Sequence, residues 1–132
     1  MFKSMIKSFK AMFLAAGLLA ITSSTSLAQG LAAHLNAVPF NFHGECPATI
    51  TFNGTIGLNH PGTVRYRFVR SDGAAGPLFT LKFEVAGLQN VSATWHLGGA
   101  GLKHYTGWEA IQIVYPNGML SNRAHFELKC ER

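Results

Sequence analysis

The sequence predicts an all-β fold, an antiparallel sandwich of seven strands, on three observations. Apolar and polar residues alternate with a period of two in run after run, and turn residues stand between the runs. No stretch beyond the N-terminal leader keeps a helical period. The only two cysteines, Cys46 and Cys130, lie near opposite ends of the patterned region, where one bridge can tie the first strands to the last.

Residues 1–28 read as a secretory signal peptide. Lys3, Lys7 and Lys10 precede an apolar run from Ala11 to Ile21, and Ser26-Leu27-Ala28 supplies a small-residue cleavage site. The run is short for a bilayer span and a polar Thr-Ser-Ser-Thr-Ser tract follows it. With no second long apolar segment, the mature chain is expected to lack a membrane span and to be periplasmic or secreted. Three of the eleven Lys and Arg lie in the leader and none of the six acids do, so eight bases stand against six acids beyond it, a net charge of +2. So little excess gives no reason to expect a nucleic-acid partner.

Residues 29–37 read as a flexible mature N-terminus and 38–132 as one domain. Val38, Phe40 and Phe42 alternate, and Pro39 suits an edge strand. From Ala48 to Ile56, apolar Ala48, Ile50, Phe52 and Ile56 oppose Thr49, Thr51, Asn53 and Thr55. Cys46 shares the inward parity. Val64, Tyr66 and Phe68 oppose Arg65 and Arg67 until Ser71-Asp72-Gly73 ends the strand. Phe79, Leu81, Phe83 and Val85 form the next inward set, then Val91, Ala93, Trp95 and Leu97. After the Gly-rich segment 98–107, Trp108–Tyr115 carries apolar residues on both parities, with Ile111, Ile113 and Tyr115 on one. Such a strand belongs in the middle of a sheet. Pro116-Asn117-Gly118 reads as a hairpin turn with positive φ angles, returning into Ala124, Phe126, Leu128 and Cys130, which alternate with polar residues.

Seven strands in a chain of this size point to the immunoglobulin-like type of sandwich. Specific residues agree: Cys46-Pro47, Phe52-x-Gly54, Gly62-Thr63-Val64-x-Tyr66-x-Phe68, Arg70-Ser71-Asp72-Gly73, Gly107-Trp108, Pro116-Asn117, Ser121-Asn122-x-Ala124-x-Phe126 and Cys130. Through these the chain resembles small exported bacterial immunoglobulin-like domains of uncharacterised function. The resemblance implies the sandwich and one disulfide linking the first and last strands, and it implies no activity. In antibody-type domains the bridge joins the second and sixth strands, so antibody-like recognition does not carry over.

The candidate site residues are few. His96 and His104 flank the Gly-rich segment and are the pair to consider for copper or zinc among six histidines (His34, His43, His60, His96, His104 and His125). None of the six has the close ligand spacing of a metal motif, so no metal or cofactor is assigned. Arg65, Arg67 and Arg70 read as an outward basic stripe, able to grip an acidic partner or to pair with Glu84, Glu109 or Glu127. Trp95 has core parity; Tyr105, placed in the Gly-rich loop, is the exposed aromatic best suited to a ligand. There is no G-x-S-x-G elbow, no HExxH and no spare cysteine, and Asp72 occupies a turn position, so an enzyme is not expected. The expectation is an exported binding module of the bacterial envelope with a protein or glycan ligand. A periplasmic metal carrier and a structural subunit of an envelope assembly are the alternatives. Oligomeric state is not legible.

Overall fold

The computed structural model describes residues 30–131; the expected signal peptide lies outside them. All the regular structure among these residues is strand: β1 Leu31–Val38, β2 Asn41–Gly44, β3 Ala48–Leu58, β4 Gly62–Arg70, β5 Phe79–Phe83, β6 Gly87–Leu97, β7 His104–Tyr115, β8 Met119–Leu120 and β9 Ala124–Cys130. They form two sheets. The smaller runs β1-β3-β6 and the larger β2-β9-β7-β4-β5, with β8 beside β7. No helix of the described residues is long and apolar enough to cross a membrane.

The inward parities read from β3, β4, β6 and β9 meet between the sheets. Ile50, Phe52 and Ile56 of β3, Val64 of β4, Ile111 and Ile113 of β7 and Leu128 of β9 are completely buried. Phe126 is the centre of an aromatic cluster, with Trp95 at 5.3 Å, Phe52 at 5.9 Å and Tyr105 at 6.0 Å between ring centroids. Burying each large side chain of this core contributes about 1.5–3 kcal/mol relative to exposure, which is what holds the layers together.

Several expectations are corrected. The described residues form nine strands, not seven, and β2 lies parallel to β9 where every other pairing among them is antiparallel. Within the segment 29–37, expected to be a flexible N-terminus, residues 31–37 belong to the eight-residue strand β1, which is paired along its length with β3. Its inward residues, Leu31, Ala33, Leu35 and Ala37, include two alanines, which weaken the apolar signal without breaking its period. At Pro39, which has no N–H to donate, the chain leaves the small sheet and crosses to the large one. Val38, on the outward parity of β1, and Phe40, in the crossing, are exposed.

Tyr115 is 53 % exposed, not inward. The β4–β7 register shifts between Arg65 and Tyr66, whose partners are Tyr115 and Ile113, so Val114 is an extra residue that turns Tyr115 away from the core. Val85 lies past the end of β5 and is exposed. The β7–β8 turn contains a cis Tyr115–Pro116 bond, and Gly118 is not among the glycines with positive φ. The returning strand is interrupted, as β8 and β9, by Ser121-Asn122-Arg123.

Cys46 and Cys130 are disulfide-bonded with 5.5 Å between Cα atoms. Cys46 lies in the bend before β3, so the bridge joins the β2–β3 connection, not the first strand, to the end of β9. Gly98, at φ +97°, lies against it: a Cβ there would stand 2.8 Å from the Cys46 sulfur and 3.0 Å from that of Cys130.

Candidate functional site

Glu109 sits on β7 between Gly107 and Ile111, on the parity that faces the other sheet. It is 2 % exposed, and its Oε1 has no hydrogen-bond partner. Its neighbour in register on β4 is Arg70, which follows Val64, Tyr66 and Phe68 on the inward parity. The two could pair, but Arg70 is engaged elsewhere. Its Nε donates to Asp72 Oδ1 at 3.2 Å and its Nη2 to Asp72 Oδ2 at 2.7 Å, while the guanidinium lies 4.1 Å from the centroid of Trp95. A bidentate carboxylate contact and an aromatic face together hold it.

The Arg70-Ser71-Asp72-Gly73 turn sets this up. Gly73, at φ +93°, donates its N–H to Arg70 O at 3.0 Å, and Asp72 Oδ1 accepts the Ala74 N–H at 3.0 Å. The Arg70 hydrogen bonds, joined by that N–H, hold the Asp72 carboxyl below its ordinary range. Glu109 goes the other way. Burial pushes it up to about 7; nearby Arg70 opposes the rise and Asp72 adds to it.

Beside Glu109 is a cavity of about 300 Å³ with Phe68, Phe79, Pro77, Ala93 and Arg70 among its walls. Two features of the fold create it. After the turn the chain pairs briefly with β4 through Ala75 and Val69, and Gly76 N donates to Phe68 O at 2.9 Å; it then bows out before β5 resumes the ladder at Phe79. The large sheet is also wider. Adjacent strands lie about 4.8 Å apart, so a rank of five extends roughly 10 Å beyond a rank of three. The overhang includes β5, and β6 ends the small sheet with an unpaired edge. Phe79, on the overhang, is 42 % exposed.

The residues singled out from sequence lie elsewhere. His96 is exposed on β6 and hydrogen-bonds to Thr49 of β3. His104, exposed on β7, contacts Glu127 of β9 at 2.7 Å, a hydrogen bond that lowers the Glu127 pKa. His96 and His104 neighbour the inward Trp95 and Tyr105 in sequence, so they face outward on opposite sheets and do not converge. No group of three or more His, Cys, Asp or Glu among the described residues is placed to hold a metal ion. Tyr105 is in strand β7, half-buried, with its ring 5.8 Å from that of Trp95. The loop expected at 98–107 is the shorter turn 98–103, closed by two 3.1 Å hydrogen bonds between Gly99 and Leu102. Arg65 is exposed, and Arg67 donates to Gln112 at 2.7 Å. Arg70 does not belong to an outward stripe: it is one side of the cavity. The sequence offers Glu109 only as a partner for the arginines, although Tyr105, Gly107, Glu109, Ile111 and Ile113 fall on one parity, which is the signal that places it inward.

No family model matches the chain, and no curated protein matches it in sequence. Two solved structures are similar in fold. One is the CARDB domain of a Pyrococcus furiosus protein in complex with di-metal ions, 8 % identical, TM-score 0.54, covering 77 % of this chain and 93 % of that one. The other is the Pseudomonas fluorescens alkylpurine DNA glycosylase AlkC bound to DNA containing an abasic site analog, 16 % identical, TM-score 0.55, covering 77 % of this chain. This chain corresponds to 31 % of that protein's length. At these identities both likenesses are of fold alone, and the CARDB neighbour fits an immunoglobulin-like β-sandwich.

Proposed function

We propose that the protein is an exported, non-catalytic binding module whose ligand enters the open side of the sandwich between the β6 edge and the β4–β5 connection. The observation that carries this reading is the Glu109 carboxyl, buried and with one oxygen unpartnered, beside a cavity of about 300 Å³. Glu109 lines the cavity with its Oε1 enclosed from water, and a ligand group that reaches the carboxyl as the Glu109 side chain turns toward the cavity recovers the cost of that unsatisfied atom. The cavity holds a single carboxyl and a guanidinium already committed to Asp72, an arrangement suited to holding a ligand rather than to passing a proton between an acid and a base. The disulfide and the leader-like N-terminus support export. A protein or glycan of the cell envelope would contact the site through one inserted group, since the cavity is small. Metal carriage by analogy with the di-metal CARDB structure has no comparable support, because His96 and His104 lie on opposite outer faces.

The test is a panel of small anionic, neutral and cationic compounds titrated into the oxidised protein and followed by amide chemical shifts. A ligand that moves the resonances of Phe79, Ala93 and Glu109, and is lost when Ala93→Leu on the inward parity of β6 fills the cavity, is the expected result. Binders that shift only the outward faces, around His96 or Arg65, would refute it.

A further inference from the structure

Resting on that reading, we infer that the cavity takes a primary ammonium group carried on an apolar stem. Three features of the site point to this chemistry. The unpartnered oxygen belongs to a carboxyl, which in its charged form only accepts hydrogen bonds and is best satisfied by a cationic donor. The guanidinium beside it in register does not fulfil that role, because Asp72 holds it by two hydrogen bonds and neutralises its charge. The walls are the rings of Phe68 and Phe79, with centroids 6.4 Å apart and planes at 70°, followed by Pro77 and small side chains. Such rings favour an aliphatic or aromatic stem and attract a cation over their faces.

The charged groups near Glu109 are Arg70 of β4 and Asp72 of the following turn, which act on it in opposite directions, Arg70 the more strongly, and whose formal charges sum to zero. The β6 side contributes Ser92, Ala93 and Thr94, and the register partner on β9 is Ala124, none of which titrates. The site therefore carries one net negative charge when Glu109 is ionised. An anionic ligand would meet that carboxylate with no free cation to offset it. A neutral alcohol could share a hydrogen bond but would leave the charge uncompensated. Burial raises the affinity of Glu109 for a proton, so proton and ammonium compete for the same oxygens.

The experiment is a matched set of probes, phenethylammonium, 2-phenylethanol and phenylacetate, titrated into the oxidised protein at pH 8.5 and pH 5.5 and read by calorimetry and amide shifts. The ammonium is expected to bind at least about tenfold more tightly than the alcohol at pH 8.5. Its affinity should fall by about tenfold or more at pH 5.5, as protonation of Glu109 removes the charge. Glu109→Gln should abolish both the preference and the pH dependence, and Ala93→Leu should exclude all three probes. Equal or tighter binding of the alcohol or the carboxylate, or unchanged ammonium binding by Glu109→Gln, would overturn the inference while leaving the cavity a binding site. If none of the probes moves the cavity resonances, the binding reading falls with it. A capped lysine peptide forms the second arm. Tighter binding than phenethylammonium identifies a lysine side chain of a protein as the source, and exclusion of the peptide identifies a small free amine.

Discussion

At the scale of single residues, Glu109 determines how the fold responds to pH. Its carboxyl binds a proton up to about pH 7 in the folded state, whereas its ordinary value is 4.5, so between those values the folded state holds more protons than the unfolded. Stability from this group is fully present below the unfolded value and is lost as pH rises through 7, by roughly 3 kcal/mol in total. Urea denaturation should show the native protein weaker at pH 8.5 than at pH 5, and Glu109→Gln much flatter across that window; an equal slope in the two proteins would assign the pH dependence to another group. Asp72 has the opposite sign and another window, since its lowered pKa contributes stability that disappears only as pH falls into the acid range. Asp72 also governs Glu109. In Asp72→Asn the Arg70 guanidinium loses its bidentate partner and Glu109 loses a negative neighbour, so carboxyl-carbon NMR should place the Glu109 midpoint below that of the native protein. An unchanged midpoint would mean that Trp95 alone keeps Arg70 in place. The inward parities of both Arg70 and Glu109 could be read along their strands. That Arg70 would turn to Asp72 could not, because it depends on side-chain geometry across a turn and on the face of Trp95 from the other sheet.

At the scale of elements, Asn122 closes one edge of the sandwich. Its Oδ1 accepts the Leu35 N–H at 2.9 Å and its Nδ2 donates to Leu35 O at 2.8 Å, so a residue between β8 and β9 of the large sheet satisfies the outer edge of β1 in the small one. Ser121 alongside takes the Ile111 N–H on its Oγ at 2.8 Å and donates its own N–H to Ile111 O at 2.9 Å, bridging the gap between the two strands. Asn122→Ala should cost about 1–3 kcal/mol, and hydrogen exchange should quicken in β1 more than in β3. Uniform quickening throughout the sandwich would show that Asn122 stabilises the whole rather than this edge. The central strands were legible because β3, β4 and β9 alternate cleanly. β1 was not, since its inward face is half alanine and its pairing partner β3 lies beyond a sheet crossing. The bulge at Val114 was equally hidden, as an extra residue leaves no mark on composition.

At the scale of the whole molecule, the Cys46–Cys130 bridge closes a loop with a sequence separation of 84, most of the described chain. Restricting the unfolded chain in this way contributes about 4–5 kcal/mol in the chain-entropy account. Reduction should lower the denaturation midpoint accordingly and in one cooperative step; a midpoint indifferent to reductant would show that the two sheets hold without the bridge. Period-two alternation determined the strand class, the inward faces of most strands and a two-layer architecture, because in a strand successive side chains must point to opposite faces. The cysteine count determined the single bridge. Tertiary structure alone decided that three strands face five, that the excess width leaves an open side by β5 and β6, and that a carboxyl ends up there without a partner. Those features arise from the packing of one sheet on another and from competition for a single guanidinium, and both act between residues far apart in the chain.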